Sequence, residues 1–139
     1  MEQNKVEQMN VEQIDVEQIG VEQNLGTDYL GHGTAAERWS RAQLFFEAKE
    51  YATAARILDV LADEVPEQVA PRLLLARAYY HSAQLRRAET ALRKVIELDP
   101  VESYARLMLG RTLQRQNRAD DAAPHLRMAA ALDGEFAQV

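Results

Sequence analysis

One interval governs this chain. Ala42, Ala76 and Gly110 are spaced 34 residues apart, and Phe45, Tyr79 and Leu113 keep the same step. So do Ala54, Ala88 and Ala122, the leucines Leu58, Leu92 and Leu126, and the pair Pro66 and Pro100. A fixed period of this length marks an array of repeats. Each repeat is one supersecondary unit that cannot bury its apolar face alone, so neighbours must stack into a continuous core. The recurring positions alternate small with large residues. Small residues let two helices approach closely, and the bulkier Phe45, Leu58, Tyr79 and Leu92 fill the remaining space.

Local signals divide each period into two helices. Thr34-Ala-Ala-Glu37 reads as a capping box, with Thr34 at the N-cap and Glu37 reaching back. Asp99-Pro100-Val101-Glu102 reads similarly, with Pro100 at a first helical position where its missing N–H costs nothing. Helices are predicted near 35–48, 51–64, 68–82, 85–98, 101–116 and 119–132. The breaks at Lys49-Glu50, Ser82-Ala83-Gln84 and Gln116-Asn117-Arg118 are short and polar, which makes consecutive helices antiparallel. Pro124 is expected within the first turn or so of the last helix, with a mild kink as its cost.

These residues resemble the tetratricopeptide repeat, whose pattern runs W-x2-L-G-x2-Y, then A-x3-F, then P, over about 34 residues. The second repeat carries Leu75-Ala76, Tyr79, Ala88, Leu92 and Pro100. The third carries Leu109-Gly110, Leu113, Ala122 and Leu126, and the first Arg41-Ala42, Phe45, Ala54, Leu58 and Pro66. At the Trp position all three have arginine instead: Arg38, Arg72 and Arg106. The resemblance implies an all-α fold, an α-solenoid of three antiparallel helix pairs in a right-handed superhelix. The expected domain spans 34–139, with repeats near 35–68, 69–102 and 103–136, preceded by a low-complexity tail and linker over 1–33.

That tail has its own period. Val6-Glu7-Gln8, Val11-Glu12-Gln13, Val16-Glu17-Gln18 and Val21-Glu22-Gln23 recur every five residues. Its apolar residues are spaced alternately three and two apart, which fits neither a helix nor a strand. A disordered tandem-repeat tail is the first reading; a helix formed on contact and a coil of a five-residue β-helix are the alternatives. Residues 1–33 hold one lysine and seven acids, which accounts for the whole net charge of −6. The repeat region is therefore neutral overall, a poor basis for general nucleic-acid binding, which rests on neutralising many phosphates.

Catalytic patterns are missing. There is no cysteine. His32, His81 and His125 fall in a linker and two different repeats, without a partner at ligand spacing. No phosphate-cradling glycine loop or G-x-S-x-G occurs. Asp120-Asp121 sits where acids offset a helix dipole. The chain is thus expected to be no enzyme and to need no cofactor or metal. With neither a long apolar span nor an apolar signal-peptide core, a cytoplasmic location is expected.

The resemblance also implies a concave groove lined by the first helix of each pair, which receives a peptide or a helix of a partner protein. Positions i, i+4 and i+7 select its lining. They are Trp39, Gln43 and Phe46 in the first repeat, then Leu73, Arg77 and Tyr80 with His81 beside them. In the third they are Leu107, Arg111 and Gln114, flanked by Tyr104 and Arg115. Aromatic and Arg side chains dominate binding energy at protein interfaces. An acidic-hydrophobic peptide is the expected ligand, its carboxylates on Arg77, Arg111 and Arg115. The structural alternative packs Trp39 and Phe46 under the N-terminal segment and pairs the arginines with nearby acids. The family's chaperone-tail clamp is not reproduced, since Trp39, Gln43, Leu74, Tyr104 and Met108 occupy its neighbourhoods. An adaptor or scaffold is the first expectation. A secretion chaperone of the bacterial kind and a self-assembling protein, joined through its uncapped C-terminal end or its N-terminal tail, are the alternatives.

Overall fold

The computed structural model describes residues 31–134, so the five-residue period of the tail lies outside the described residues. Among the described residues six helices follow one another: α1 (Ala35–Glu47), α2 (Tyr51–Glu64), α3 (Val69–His81), α4 (Leu85–Leu98), α5 (Ser103–Arg115) and α6 (Ala119–Leu132). The sequence period is repeated in three dimensions, because the starts of α1, α3 and α5, and those of α2, α4 and α6, are each 34 residues apart. Each helix packs chiefly on the next along the chain. The result is an all-α solenoid of three antiparallel pairs.

Three-residue turns join the helices within a pair, and all three are built alike. Lys49, Ala83 and Asn117 adopt left-handed φ values of 64°, 62° and 61°. The next residue's N–H then reaches back five residues: Glu50 donates to the Phe45 carbonyl, Gln84 to Tyr79 and Arg118 to Leu113, at 2.8–2.9 Å. This is the Schellman arrangement, which satisfies carbonyls that a helix end would leave orphaned. The same residue opens the following helix, since the carbonyls of Glu50, Gln84 and Arg118 accept from Ala54, Ala88 and Ala122.

The small residues form the seam. Ala42, Ala54, Ala76, Ala88 and Ala122 are 0% exposed. Gly110 is buried as well, and a Cβ placed on it would lie 2.6 Å from Leu126 Cγ. The third pair therefore packs leucine into room that a methyl group would need. Leu58, Leu92, Leu109 and Leu113 fill the core around this seam.

The arginines at the Trp position make a different contact from an indole. Arg38 pairs with Glu64 at 2.7 Å. Arg72 donates from Nη2 to the Ala62 carbonyl, and Arg106 from Nη2 to the Pro100 carbonyl, each at 3.2 Å. All three thus reach the end of a second helix or the turn beyond it, where carbonyls lack partners and the dipole favours a cation.

Two sequence expectations need correction. α5 begins at Ser103, not 101, so Pro100 is not a first helical residue. The Asp99 carboxylate accepts from Val101 N–H at 3.3 Å, a side-chain turn that competes with helix, and Glu102 caps the helix by accepting from Tyr104 N–H. Pro124 is the sixth residue of α6, beyond its first turn. It is exposed, and it leaves the Asp120 carbonyl without its helical donor.

Candidate peptide-binding groove

The first helices α1, α3 and α5 each bring one side toward the expected groove. From α1 come the half-buried Trp39 and Phe46 and the exposed Gln43. From α3 come Leu73, Arg77 and Tyr80, all half-buried, and the exposed His81 at the helix end. From α5 come the half-buried Tyr104 and the exposed Arg111, Gln114 and Arg115.

Part of this set forms a connected cluster. The Arg77 guanidinium carbon lies 4.9 Å from the centre of the Phe46 ring and 5.9 Å from that of Tyr104, so one cation links the first and third repeats through two π-faces. Arg115 repeats the motif 4.6 Å over Tyr80 and donates from Nη1 to the Tyr80 carbonyl at 3.0 Å. His81 meets the Tyr80 ring edge-on at 5.7 Å and Phe46 at 5.9 Å. Its closest ring neighbour is Tyr51, stacked at 4.7 Å with 23° between the planes.

Tyr51 escaped the sequence reading because it opens α2, a second helix. Only the tight turn after α1 carries it back toward Phe46, which it meets edge-on at 5.1 Å. Its aromatic identity at a helix start, directly after a three-residue turn, was the available signal.

Other expected members stand apart. Trp39, about two turns from Phe46, lines a hollow of about 320 Å³ with Ala36, Leu61, Val65 and Pro71. Leu107 departs from the expectation. It is only 8% exposed, on a helix covered by both α4 and α6, so it serves the core and offers little to a ligand.

Among the described residues Arg77, Arg111 and Arg115 make no ion pair, whereas Arg38, Arg93 and Arg118 each hold a carboxylate. Arg77 Nε is buried without a partner. Partial burial, then Arg77 and Arg115, push the His81 pKa below its ordinary value, which disfavours the charged imidazole. Among the described residues no group of three His, Asp or Glu side chains is placed to hold a metal ion.

A sequence profile of the tetratricopeptide repeat matches residues 45–109. The fold is similar to solved structures of MamA. A MamA point mutant aligns with a TM-score of 0.74 at 19% identity, over 85% of this chain and 89% of that one. MamA from Desulfovibrio magneticus RS-1, from residue 41 to its end, gives 0.70 at 22% identity, over 86% and 71%. The first such domain of Spaghetti (RPAP3), bound to the HSP90 peptide SRMEEVD, gives 0.66 at 15% identity, over 78% and 79%. No curated protein sequence matches this chain. At these identities the structural likeness speaks for the fold alone.

Proposed function

We propose that this chain, a tetratricopeptide-repeat protein, is a noncatalytic adaptor whose first helices hold an acidic-hydrophobic peptide of a partner protein. The observation that carries this reading is the set of three arginines without carboxylate partners among the described residues, two of them laid over aromatic rings. Cations held in place but left uncompensated suit carboxylates that arrive with a ligand. The rings around them, Phe46, Tyr51, Tyr80 and Tyr104, supply contact area at low entropic cost. The peptide seen on the RPAP3 domain is itself acidic with two apolar residues, Met and Val, and the analogy supports the same ligand class here. No described helix is long and apolar enough to cross a membrane. A cytoplasmic location belongs to the same proposal.

Affinity capture from the native lysate, read by mass spectrometry, tests it. An Arg77→Glu, Arg111→Glu double variant, shown to fold, should lose the partner that wild type retains. Identical captures from both would remove the groove as the binding site.

A second reading rests on α6, where Met128 is 43% and Leu132 37% exposed. Self-association through that end would appear as an oligomer that dissociates on dilution.

A further inference from the structure

A second charged surface lies on the side formed by the second helices. α2 and α4 flank a furrow of about 740 Å³, and α3 supplies its floor through Leu75 and Tyr79, beside Ala91 of α4. Arg86, Arg87, Arg93 and Lys94 edge it, with Asp59 and Glu97 as the acids. Two of these cations are committed: Arg93 to Glu89 at 2.9 Å and Lys94 to Glu97 at 3.4 Å. The other two are not. Arg87 donates only to the neutral Gln84 side chain at 3.0 Å, and Arg86 makes no ion pair among the described residues.

The repeat provides an internal comparison. A step of 34 residues carries Leu75 and Tyr79 to Leu109 and Leu113, and carries Arg86 and Arg87 to Asp120 and Asp121. It carries Ala91 to His125. That imidazole is half-buried, its Nδ1 enclosed without a partner, within electrostatic reach of Arg93, Arg106, Asp121 and Glu89. So the position that carries an imidazole on α6 carries only a methyl group on α4. The two positions that are acidic at the start of α6 are cationic at the start of α4. The acids at the start of α6 complement its dipole, whereas the arginines at the start of α4 oppose the dipole of that helix and so are not there for helix stability.

We infer that the α2–α4 furrow docks an acidic segment of a partner protein, with carboxylates on the exposed Arg86 and Arg87. Peptide suits the furrow better than nucleic acid because a peptide can space its carboxylates, setting acids on Arg86 and Arg87 and neutral residues beside Asp59 and Glu97, whereas a chain of phosphates carries a charge at every step. This surface shares no residue with the proposed groove and stands whether or not the groove binds a ligand.

The test uses the full chain, isotope-labelled for NMR, titrated with a short synthetic peptide of glutamate and alanine. Amides of Thr90 and Ala91 report the furrow; those of Gln43 and Gln114 report the groove. Shifts are expected at Thr90 and Ala91. Arg86→Asp with Arg87→Asp, which places the third repeat's residues on an exposed rim, should weaken binding about tenfold or more with the fold intact. Arg77→Glu should leave furrow binding unaltered. Absence of binding, shifts confined to Gln43 and Gln114, or an unaltered affinity in the Arg86, Arg87 variant would overturn the inference. So would tighter binding of a thymidine oligonucleotide at the same amides.

Discussion

Gly110 shows how one residue departs from its counterparts while keeping the seam intact. Alanine is normally the better helix former by about 1 kcal/mol. At this position its methyl group would intrude on Leu126, whose Cγ lies 2.6 Å from where the Cβ would sit. Gly110→Ala should therefore lower stability by about 1–2 kcal/mol, overpacking outweighing propensity. Urea unfolding checks this, and adding Leu126→Ala should recover part of the loss. An unchanged or raised midpoint would mean that Leu126 swings aside without cost. The small residue at this position was legible in the sequence as part of the period. That the third pair needs glycine was not, because the need arises from the one leucine rotamer facing it.

At the scale of elements, the turns are more uniform than their sequences. Lys49, Ala83 and Asn117 have little in common chemically, yet all take left-handed φ. Only asparagine among them does so readily, and the conformation costs other L-residues roughly 1–2 kcal/mol. Ala83→Gly should thus raise stability by about 1 kcal/mol, the strain removed exceeding the extra entropy of glycine in the unfolded chain. Thermal or urea unfolding measures it, and a loss of stability would show that the turn is not strained. Helix positions were readable from the apolar period, but the ends depended on side-chain chemistry that the period does not carry. Asp99 takes the Val101 N–H for itself and delays α5. Likewise the groove's periodic members were legible on α1, α3 and α5, whereas Tyr51 joins their cluster from α2 by way of a turn. Leu107 satisfied the spacing rule yet was claimed by the core, since spacing gives a direction around a helix and says nothing of how far the neighbours extend.

Across the molecule two histidines, His81 and His125, are shifted toward the neutral form. Burial, followed by Arg77 and Arg115, lowers the His81 pKa; burial, followed by Arg93 and Arg106, lowers that of His125. The unfolded chain therefore takes up protons at a pH where the folded one still declines them, so stability falls as pH drops below the ordinary histidine value of 6.5. Glu89 adds a separate loss at lower pH. Burial alone would raise its carboxyl, but hydrogen bonds from Gln116, Arg93 and Arg118 hold it below the usual range. Between about pH 7 and pH 5 the urea midpoint should decline, and a His81→Gln, His125→Gln variant should show a flatter profile. A wild-type midpoint constant over that window would exclude the assignment. The nearest-neighbour packing of the helices also has a kinetic meaning. Among the described helices only α3 and α4 are flanked by a pair on each side, so opening either end of this set need not disturb them. Amide protons in the central pair should then be the last to exchange with deuterium, and those of α1 and α6 among the first, so that the solenoid melts inward from its ends.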